Sequence, residues 1–169
     1  MPQRSYSLSR LASRPGLAGD ARVADEQAAA EAAAAIIAAA ARAAGGRART
    51  VRAGAEWGPD ALAGTPPEID LVHLGLGPDG HAASLVPGDP VNRVTDRDVA
   101  LTGVYQGRCR MTLTFPAINR ARRVLWLVTG AERAEMLAWL RKADASIPAD
   151  RVRQERAVIV ANRAAVDRA

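Results

Sequence analysis

The sequence contains very few of the residues that form disulfides and most metal sites. It has one cysteine, Cys109, two histidines and one lysine, Lys142, and all its other basic residues are arginine. A single cysteine excludes an internal disulfide. The two histidines do not form a His-x-x-x-His pair, so the usual ligand spacing of a zinc site is absent. We therefore expect no bound metal.

Long apolar runs of the kind that target or anchor a chain are also missing. The first ten residues, MPQRSYSLSR, have no apolar core of a secretory signal. The alanine-rich stretch 28–44 is interrupted by Glu31 and Arg42, and alanine is too weakly apolar to favour a membrane span. These absences predict a cytoplasmic protein without a membrane partner.

The net charge of +5 does not have the pattern of a nucleic-acid-binding protein. The arginines are interleaved with acids, as in DRVRQERA (150–157), whereas a nucleic-acid footprint is a clustered basic stripe. We expect no nucleic-acid partner. Anionic small molecules, phosphates especially, are compatible with this charge.

The chain of 169 residues has the length of one domain with its own core, and we treat 1–169 as a single domain. Residues 1–22 carry spaced prolines and glycines and are predicted to be irregular. An alanine-rich helix, capped by Asp25 or Asp20, is predicted to run to the glycine pair 45–46. Residues 47–68 are predicted to be a short strand or loop and a proline-rich connection.

Three short apolar runs predict strands that are buried on both faces of a sheet. They are IDLVHLG (69–75), RVLWLV (123–128) and RAVIVAN (156–162). A fourth stretch, RMTLTFP (110–116), alternates apolar and polar residues and predicts a half-exposed strand.

A helix is predicted between the last two apolar runs. Thr129 can be its N-cap, and Glu132 three residues later completes a capping box. Pro148 prevents the helix from continuing. Before this proline, apolar residues recur at helical spacing at Met136, Leu137 and Leu140. A strand, a helix and a strand in this order predict an α/β fold, with a parallel, Rossmann-like sheet and flanking helices.

The stretch GLGPDGH (75–81) has the glycine spacing of a dinucleotide-binding loop. Such a loop needs its last glycine to open a long helix, because the pyrophosphate binds at the helix N-terminus. Here PGDP (87–90) interrupts the chain within two turns, and the carboxylate of Asp79 would repel a pyrophosphate. We therefore reject a dinucleotide cofactor.

The same stretch brings two chemically useful side chains to the end of a predicted strand. Ligands of parallel α/β sheets bind beyond the carboxyl ends of the strands. A free imidazole titrates near neutral pH, so His81 is a candidate for proton transfer. Asp79 can orient that imidazole or contact a substrate. His73 lies inside the strand, and we expect it to be structural.

Residues 70–90, DLVHLGLGPDGHAASLVPGDP, resemble the signature of the 6-phosphogluconolactonases. These enzymes share a superfamily with the glucosamine-6-phosphate deaminases. The departures from the family pattern are Ala82, where threonine is usual, and Val86, where phenylalanine is usual. Both are expected to affect packing rather than chemistry.

A second block supports the resemblance. Residues 110–137 resemble the family's Arg-x-Thr-Leu-Thr-x-Pro-x-Leu-Asn-x-Ala-Arg segment with its following strand, Thr-Gly and helix. Residues 146–165 are similar to the family's C-terminal part, so the resemblance covers 69–169. At the position of Arg133 the family usually has a lysine, and a planar guanidinium differs in geometry from a compact ammonium.

The resemblance implies hydrolysis of 6-phospho-D-glucono-1,5-lactone in the oxidative pentose phosphate pathway, without a metal or an organic cofactor. His81 would be the general base, with Asp79 holding it or a substrate hydroxyl. Amides of the glycine loop would stabilise the oxyanion, and two arginines would hold the phosphate. The implied substrate-binding residues are Gly75, Gly77, Gly80, Ser84, Arg110 and Arg133.

The N-terminal part of the chain departs from the family. Family members are longer and begin with a Gly-Gly-Ser/Thr phosphate loop and an Asp-Glu-Arg segment, which this sequence lacks. We therefore expect a shortened domain whose sheet lacks the family's first strands. An exposed sheet edge favours self-association, so a monomer or a weak homo-oligomer is expected.

Two alternative functions stay open. One is a truncated, non-catalytic relative that binds sugar phosphates. The other is a glucosamine-6-phosphate deaminase-like isomerase, which resembles this sequence in its Asp-Gly-His. That branch continues with a second acid for proton transfer, whereas SLVP (84–87) follows here and favours the lactonase.

Overall fold

The computed structural model describes residues 19–44, 50–52 and 68–167, which form an α/β fold. The strands are β1 (Gly19–Val23), β2 (Thr50–Arg52), β3 (Leu71–Gly75), β4 (Val99–Leu101), β5 (Met111–Leu113), β6 (Val124–Val128) and β7 (Ala157–Asn162). The helices are α1 (Glu26–Ala43), α2 (Phe115–Arg120), α3 (Ala134–Lys142) and α4 (Arg163–Val166). Three 3-10 turns, Pro90–Arg93, Ala131–Arg133 and Pro148–Arg151, complete it.

Five strands form one parallel sheet in the order β1-β7-β6-β3-β2. The three predicted apolar runs are its central strands β3, β6 and β7, so the predicted α/β class with a parallel core is confirmed. Gly75 pairs with Leu127, and Val128 pairs with Ala161. The carboxyl ends of the three central strands therefore lie side by side.

Helices cover both faces of the sheet. Along β6, Trp126 belongs to the larger core on one face, and Leu125 belongs to the smaller core on the other. The larger core includes residues of α2, α3 and α4, and the smaller core is built on α1. Burial on both faces explains why the central strands are continuous apolar runs rather than alternating ones.

The alanine-rich helix is confirmed, and its N-cap is Asp25. The Asp25 carboxylate accepts a hydrogen bond of 2.8 Å from the Ala28 amide, which satisfies one of the otherwise unpaired amides of the first turn. The helix packs through alanines, which let it lie close to the sheet: Ala29, Ala32, Ala33 and Ala40. The predicted end at the glycine pair 45–46 lies outside the described residues.

The prediction that residues 1–22 are irregular is wrong for 19–22, which belong to β1. This strand pairs with β7, where Gly19 lies opposite Val158. Its Asp20 is buried and forms a two-armed ion pair with Arg141 of α3, with two N–O distances of 2.9 Å. Residues 1–18 lie outside the described part of the chain.

The predicted strand 110–116 is shorter than expected. Only Met111–Leu113 forms β5, which pairs antiparallel with β4, and Phe115 begins α2. The alternation, which would place the polar residues outward, is also inverted for three residues, since Met111 is exposed and Thr112 and Thr114 are buried. The Thr112 hydroxyl accepts a hydrogen bond of 3.2 Å from the Ser84 amide, so this polar residue has a partner inside the fold.

The predicted capping box at Thr129 and Glu132 is not formed. Gly130 has a φ of +97°, and a 3-10 turn precedes α3, which begins without a side-chain cap. The Glu132 carboxylate forms an ion pair with the adjacent Arg133 instead. The helix ends at Lys142, before Pro148 is reached.

Among residues 19–44, 50–52 and 68–167, no helix combines the length and the hydrophobicity that crossing a bilayer requires.

Candidate active site

A cleft of about 360 Å³ opens at the carboxyl ends of the central strands. It lies between the loop that follows β3 and the turn that follows β6. This is the edge where parallel α/β sheets bind ligands. The cleft is lined by Gly75, Leu76, Gly77, Pro78, His81, Ala83, Leu127, Thr129 and Arg133.

The loop after β3 is held by its own backbone hydrogen bonds. The Gly77 amide donates to the His81 carbonyl at 2.8 Å, and the Gly80 amide donates to the Gly77 carbonyl at 3.1 Å. Bridges then continue through Ala82 to Leu85, so the chain turns back instead of opening a helix at Gly80. The loop therefore has a fixed shape of its own.

Two glycines of this loop are required by their surroundings. A Cβ on Gly77 would lie 2.2 Å from His81 Nδ1 and 2.7 Å from Asp79 Oδ1. Gly80 has a φ of +79°, and a Cβ there would lie 2.6 Å from the Ile147 side chain. Gly77 thus makes space for the Asp79–His81 pair, and Gly80 permits the turn that carries it.

Asp79 and His81 form a hydrogen-bonded pair at the edge of the cleft. His81 Nδ1 lies 2.5 Å from Asp79 Oδ1, and the His81 amide donates to the same oxygen at 3.2 Å. The side chains are 25% and 33% exposed for His81 and Asp79, so both are open to solvent. The pair has the geometry of an imidazole oriented by a carboxylate.

The electrostatics of the pair favour an ionised Asp79. Partial burial opposes the charge, but the hydrogen bonds from the His81 amide and ring and the charge of that ring outweigh it. The pKa of Asp79 is therefore held below its ordinary value. A carboxylate only accepts hydrogen bonds, so this contact favours the His81 tautomer that has its proton on Nδ1 and leaves Nε2 free to accept one.

A tyrosine that the sequence reasoning missed also contacts this pair. The Tyr105 hydroxyl donates to Asp79 Oδ2 at 3.3 Å, and its ring lies edge-on to the His81 ring with centroids 6.1 Å apart. Tyr105 is in the turn between β4 and β5, far from the glycine loop in sequence. Gly107 is the one local signal, since glycine readily adopts the positive φ that a tight hairpin turn needs.

The two predicted phosphate-binding arginines lie in different places. Arg133 lines the cleft, donates to the Thr129 carbonyl at 2.7 Å and pairs with Glu132. Arg110 does not line the cleft, and its guanidinium carbon lies 5.5 Å from the centre of the Tyr105 ring. One arginine is thus in the cleft, and the other is connected to the site through Tyr105.

The other predicted substrate-binding residues divide in the same way. Gly75 and Gly77 line the cleft, whereas Gly80 and Ser84 do not belong to its lining. The amides of Gly77 and Gly80 already donate inside the loop. The expectation that the amides of this loop stabilise an oxyanion therefore does not hold for these two. His73 lies inside β3 and outside the lining.

Within the described ranges, no cluster of three or more histidine, cysteine, aspartate or glutamate side chains has the arrangement to hold a metal ion. Cys109 is an exposed free thiol.

The family model described as glucosamine-6-phosphate isomerases/6-phosphogluconolactonase matches residues 17–161. This match covers most of the sequence, so the chain belongs to that family of α/β proteins.

Individual relatives agree with the family. A 6-phosphogluconolactonase of Synechocystis is 49% identical over 75 residues, which are 44% of this chain and 31% of the relative. The structure of a 6-phosphogluconolactonase from Thermotoga maritima is similar, with a TM-score of 0.52 and 34% identity over 61% of this chain and 47% of that one. The Trypanosoma brucei enzyme gives a TM-score of 0.51 and 29% identity over 59% and 42%. The matched segments span less than half the length of these relatives.

Proposed function

We propose that this chain hydrolyses 6-phospho-D-glucono-1,5-lactone to 6-phosphogluconate, a step of the oxidative pentose phosphate pathway. The observation that carries the proposal is the Asp79–His81 pair beside a cleft that also contains Arg133. The relatives named as 6-phosphogluconolactonases support the choice of substrate. The Asp79–His81 pair is also compatible with the deaminase-like alternative, but SLVP (84–87) in place of a second acid favours the lactonase.

In the proposed reaction, His81 acts as a general base through Nε2. It takes a proton from a water molecule as the water oxygen bonds to the lactone carbonyl carbon. The resulting tetrahedral oxyanion collapses, and the bond between that carbon and the ring oxygen breaks. The ring oxygen leaves as the sugar hydroxyl with the proton returned by His81, and the new carboxylic acid ionises.

Asp79 supports this role of His81 in two ways. Its hydrogen bond to Nδ1 selects the tautomer in which Nε2 can accept a proton. Its negative charge then stabilises the imidazolium that forms when the water is deprotonated. Asp79 is suited to both because its pKa is lowered, which keeps it ionised at neutral pH.

Arg133 is the proposed ligand of the substrate phosphate. It lies on the turn after β6, where its guanidinium is fixed to the Thr129 carbonyl. A phosphate dianion would compete with Glu132 for this guanidinium and carries more charge than a carboxylate. Arg110 is the second candidate ligand, and it would have to extend past the Tyr105 ring to reach the phosphate.

The test is hydrolysis of freshly generated lactone by this chain, because the lactone also opens spontaneously. The wild type and His81→Ala are compared with a reaction that lacks protein, and folding of each variant is checked by cooperative unfolding. We expect acceleration by the wild type and a loss of about 10²–10⁴-fold in His81→Ala. The matched control is His73→Gln, which changes the other histidine and should retain activity.

A folded wild type that reacts no faster than the protein-free control would overturn the proposal. Binding of 6-phosphogluconate without turnover would then support the non-catalytic relative. Release of ammonia from glucosamine 6-phosphate would support the isomerase.

A further inference from the structure

The turn between β4 and β5 brings a tyrosine hydroxyl to the second oxygen of Asp79. His81 uses Oδ1 for both of its hydrogen bonds to this carboxylate, and Tyr105 donates to Oδ2 at 3.3 Å. We propose that Tyr105 is a positioning residue that orients Asp79 and, through it, the imidazole of His81. The expected effect on catalysis rests on the proposed lactonase function. The expected orientation of Asp79 and His81 rests on the geometry alone.

The backbone of the turn holds Tyr105 in a defined place. The amides and carbonyls of Tyr105 and Arg108 exchange two hydrogen bonds, of 3.0 and 3.2 Å. Gln106 and Gly107 between them have φ values of +51° and +74°. Positive φ at both central residues is the geometry of a two-residue hairpin turn. A glutamine is uncommon in this conformation, so the turn is held by its surroundings as well as by local preference.

The base of the hairpin is tied to the loop that follows the Asp79–His81 pair. The buried Asp89 carboxylate accepts from the Gly103 amide at 2.9 Å and from the Val91 amide at 2.8 Å. Across the hairpin, the Thr102 amide donates to the Arg110 carbonyl at 2.8 Å, and the Thr102 hydroxyl accepts from the Arg110 amide at 2.9 Å. These bonds fix the distance between Tyr105 and the site.

The hydroxyl and the ring of Tyr105 make separable contributions. The ring lies edge-on to His81, and the Arg110 guanidinium lies over it at 5.5 Å. A phenylalanine would keep both of these contacts and remove only the hydrogen bond to Asp79. If Tyr105 only supports packing, the ring is sufficient and phenylalanine can replace it. If Tyr105 orients Asp79, the hydroxyl is required.

The hydroxyl matters because a carboxylate held by one oxygen can rotate about its Cβ–Cγ bond. Two hydrogen bonds to different oxygens fix its plane, and the plane determines the direction of the bond to His81 Nδ1. The Arg110 guanidinium lies over the Tyr105 ring, and Arg133 lines the same cleft as His81. Among the hydrogen bonds described for Asp79, only that from Tyr105 engages Oδ2.

The kinetic test compares Tyr105→Phe with the wild type in lactone hydrolysis. Loss of one hydrogen bond to a charged group predicts a fall in kcat of about tenfold with KM changed by less than about twofold. In an Asp79→Asn background the same substitution should have no further effect, because its influence passes through the carboxylate. Val104→Thr, in the neighbouring exposed position, is the matched control and should leave both constants unchanged.

A second measurement does not require activity. The chain has two histidines, so the ring nitrogens of ¹⁵N-histidine-labelled protein can be assigned with His73→Gln. We expect the Nδ1–H tautomer of His81 in the wild type, its loss in Asp79→Asn, and a mixture of tautomers or a faster-exchanging Nδ1 proton in Tyr105→Phe.

These outcomes separate the two proposals. A wild type without lactonase activity whose His81 spectrum responds to Tyr105→Phe would overturn the proposed function and support the positioning contact. An active wild type whose kcat and His81 spectrum are unchanged in Tyr105→Phe would overturn the role of Tyr105. An equal fall in kcat in the Asp79→Asn background would also overturn it, because the tyrosine would then act independently of Asp79.

Discussion

The side-chain oxygen of Asn162, at the end of β7, accepts a hydrogen bond of 3.2 Å from the amide of Gly130, which lies just beyond the end of β6. The same oxygen accepts from the Ala165 amide at 3.1 Å and so caps α4. One buried side chain thus joins two neighbouring strand ends at the mouth of the cleft.

Asn162→Ala should destabilise the fold and disturb the turn that carries Arg133. Two amides lose their acceptor in a buried place, which predicts a loss of about 1–3 kcal/mol in the free energy of unfolding. Urea unfolding measures the loss. The control is Asn162→Asp, which keeps an acceptor oxygen. It shows how much of the lost stability is caused by the missing hydrogen bonds and how much by any substitution at this position. Unchanged stability in Asn162→Ala would contradict this account.

The Asp79 carboxylate should contribute to stability in a pH-dependent way. Its pKa is lowered in the folded state: burial opposes the shift, but the His81 hydrogen bonds and charge outweigh burial. The contribution is present above the ordinary pKa of 3.8 and is lost as the pH falls below that value and through the folded-state pKa. The stability gap between the wild type and Asp79→Asn should therefore narrow below pH 3.8. Urea unfolding at several pH values measures this difference in stability. A difference that grows as the pH falls would contradict the prediction.

Gly80 and Gly88 offer a matched pair for testing the glycine loop. Both have a positive φ, +79° and +76°, but a Cβ on Gly80 would meet Ile147 at 2.6 Å, whereas nothing lies within 4 Å of one on Gly88. Alanine at Gly88 should cost about 1–2 kcal/mol for the backbone conformation alone. Alanine at Gly80 should cost a further 1–3 kcal/mol or so because the packed core must shift. Thermal unfolding of the two variants tests the difference, and equal losses would show that the Ile147 contact is easily relieved.

The ion pair between Asp20 and Arg141 should be far more important for stability than an exposed pair. Their side chains are 4% and 14% exposed. Arg141→Met leaves the buried carboxylate without this cation and should cost about 3–5 kcal/mol. The control is Arg97→Met, which removes a pair with Asp96 whose side chains are 63% and 66% exposed and should cost less than about 1 kcal/mol. Denaturant unfolding compares the two, and similar losses would contradict the prediction.

Arg133→Ala should raise KM for the lactone, because the proposed phosphate ligand is removed. A lost charge-assisted contact predicts an increase of about tenfold or more, with a smaller effect on kcat. Arg133→Lys restores the charge and should recover part of the affinity. Arg123→Ala, an exposed arginine before β6 at the opposite edge of the sheet, is the matched control. A KM that stays the same in Arg133→Ala would remove Arg133 from the phosphate site.

The parts of the fold that were predictable are those determined by local pattern. The central strands were found because burial on both faces requires a continuous apolar run, and α1 was found because its alanines and the cap at Asp25 are adjacent in sequence. Strand β1 was missed because GDARV contains two charged residues. Its strand conformation depends on pairing with β7 and on the distant Arg141.

The same distinction applies to the candidate site. Asp79 and His81 were singled out because a single short loop carries both of them. Tyr105 was missed because its contact with Asp79 joins two segments that become neighbours only in the folded chain. The capping box was predicted from a local pattern, but Gly130 has a φ of +97° and a 3-10 turn precedes α3, so the box does not form.

The pairing of β1 with β7 has a consequence for how the chain is made. Gly19 lies opposite Val158, so most of the described sequence must be synthesised before β1 can pair with β7, its neighbour among the described strands. At the usual pace of a ribosome, β1 waits for several seconds with its backbone unpaired. The buried Asp20 places a charge in this waiting strand, and a charged strand is a poor template for pairing with another nascent chain. Asp20, which pairs with Arg141 of α3 in the folded chain, thus also disfavours pairing of β1 with another chain before the sheet forms.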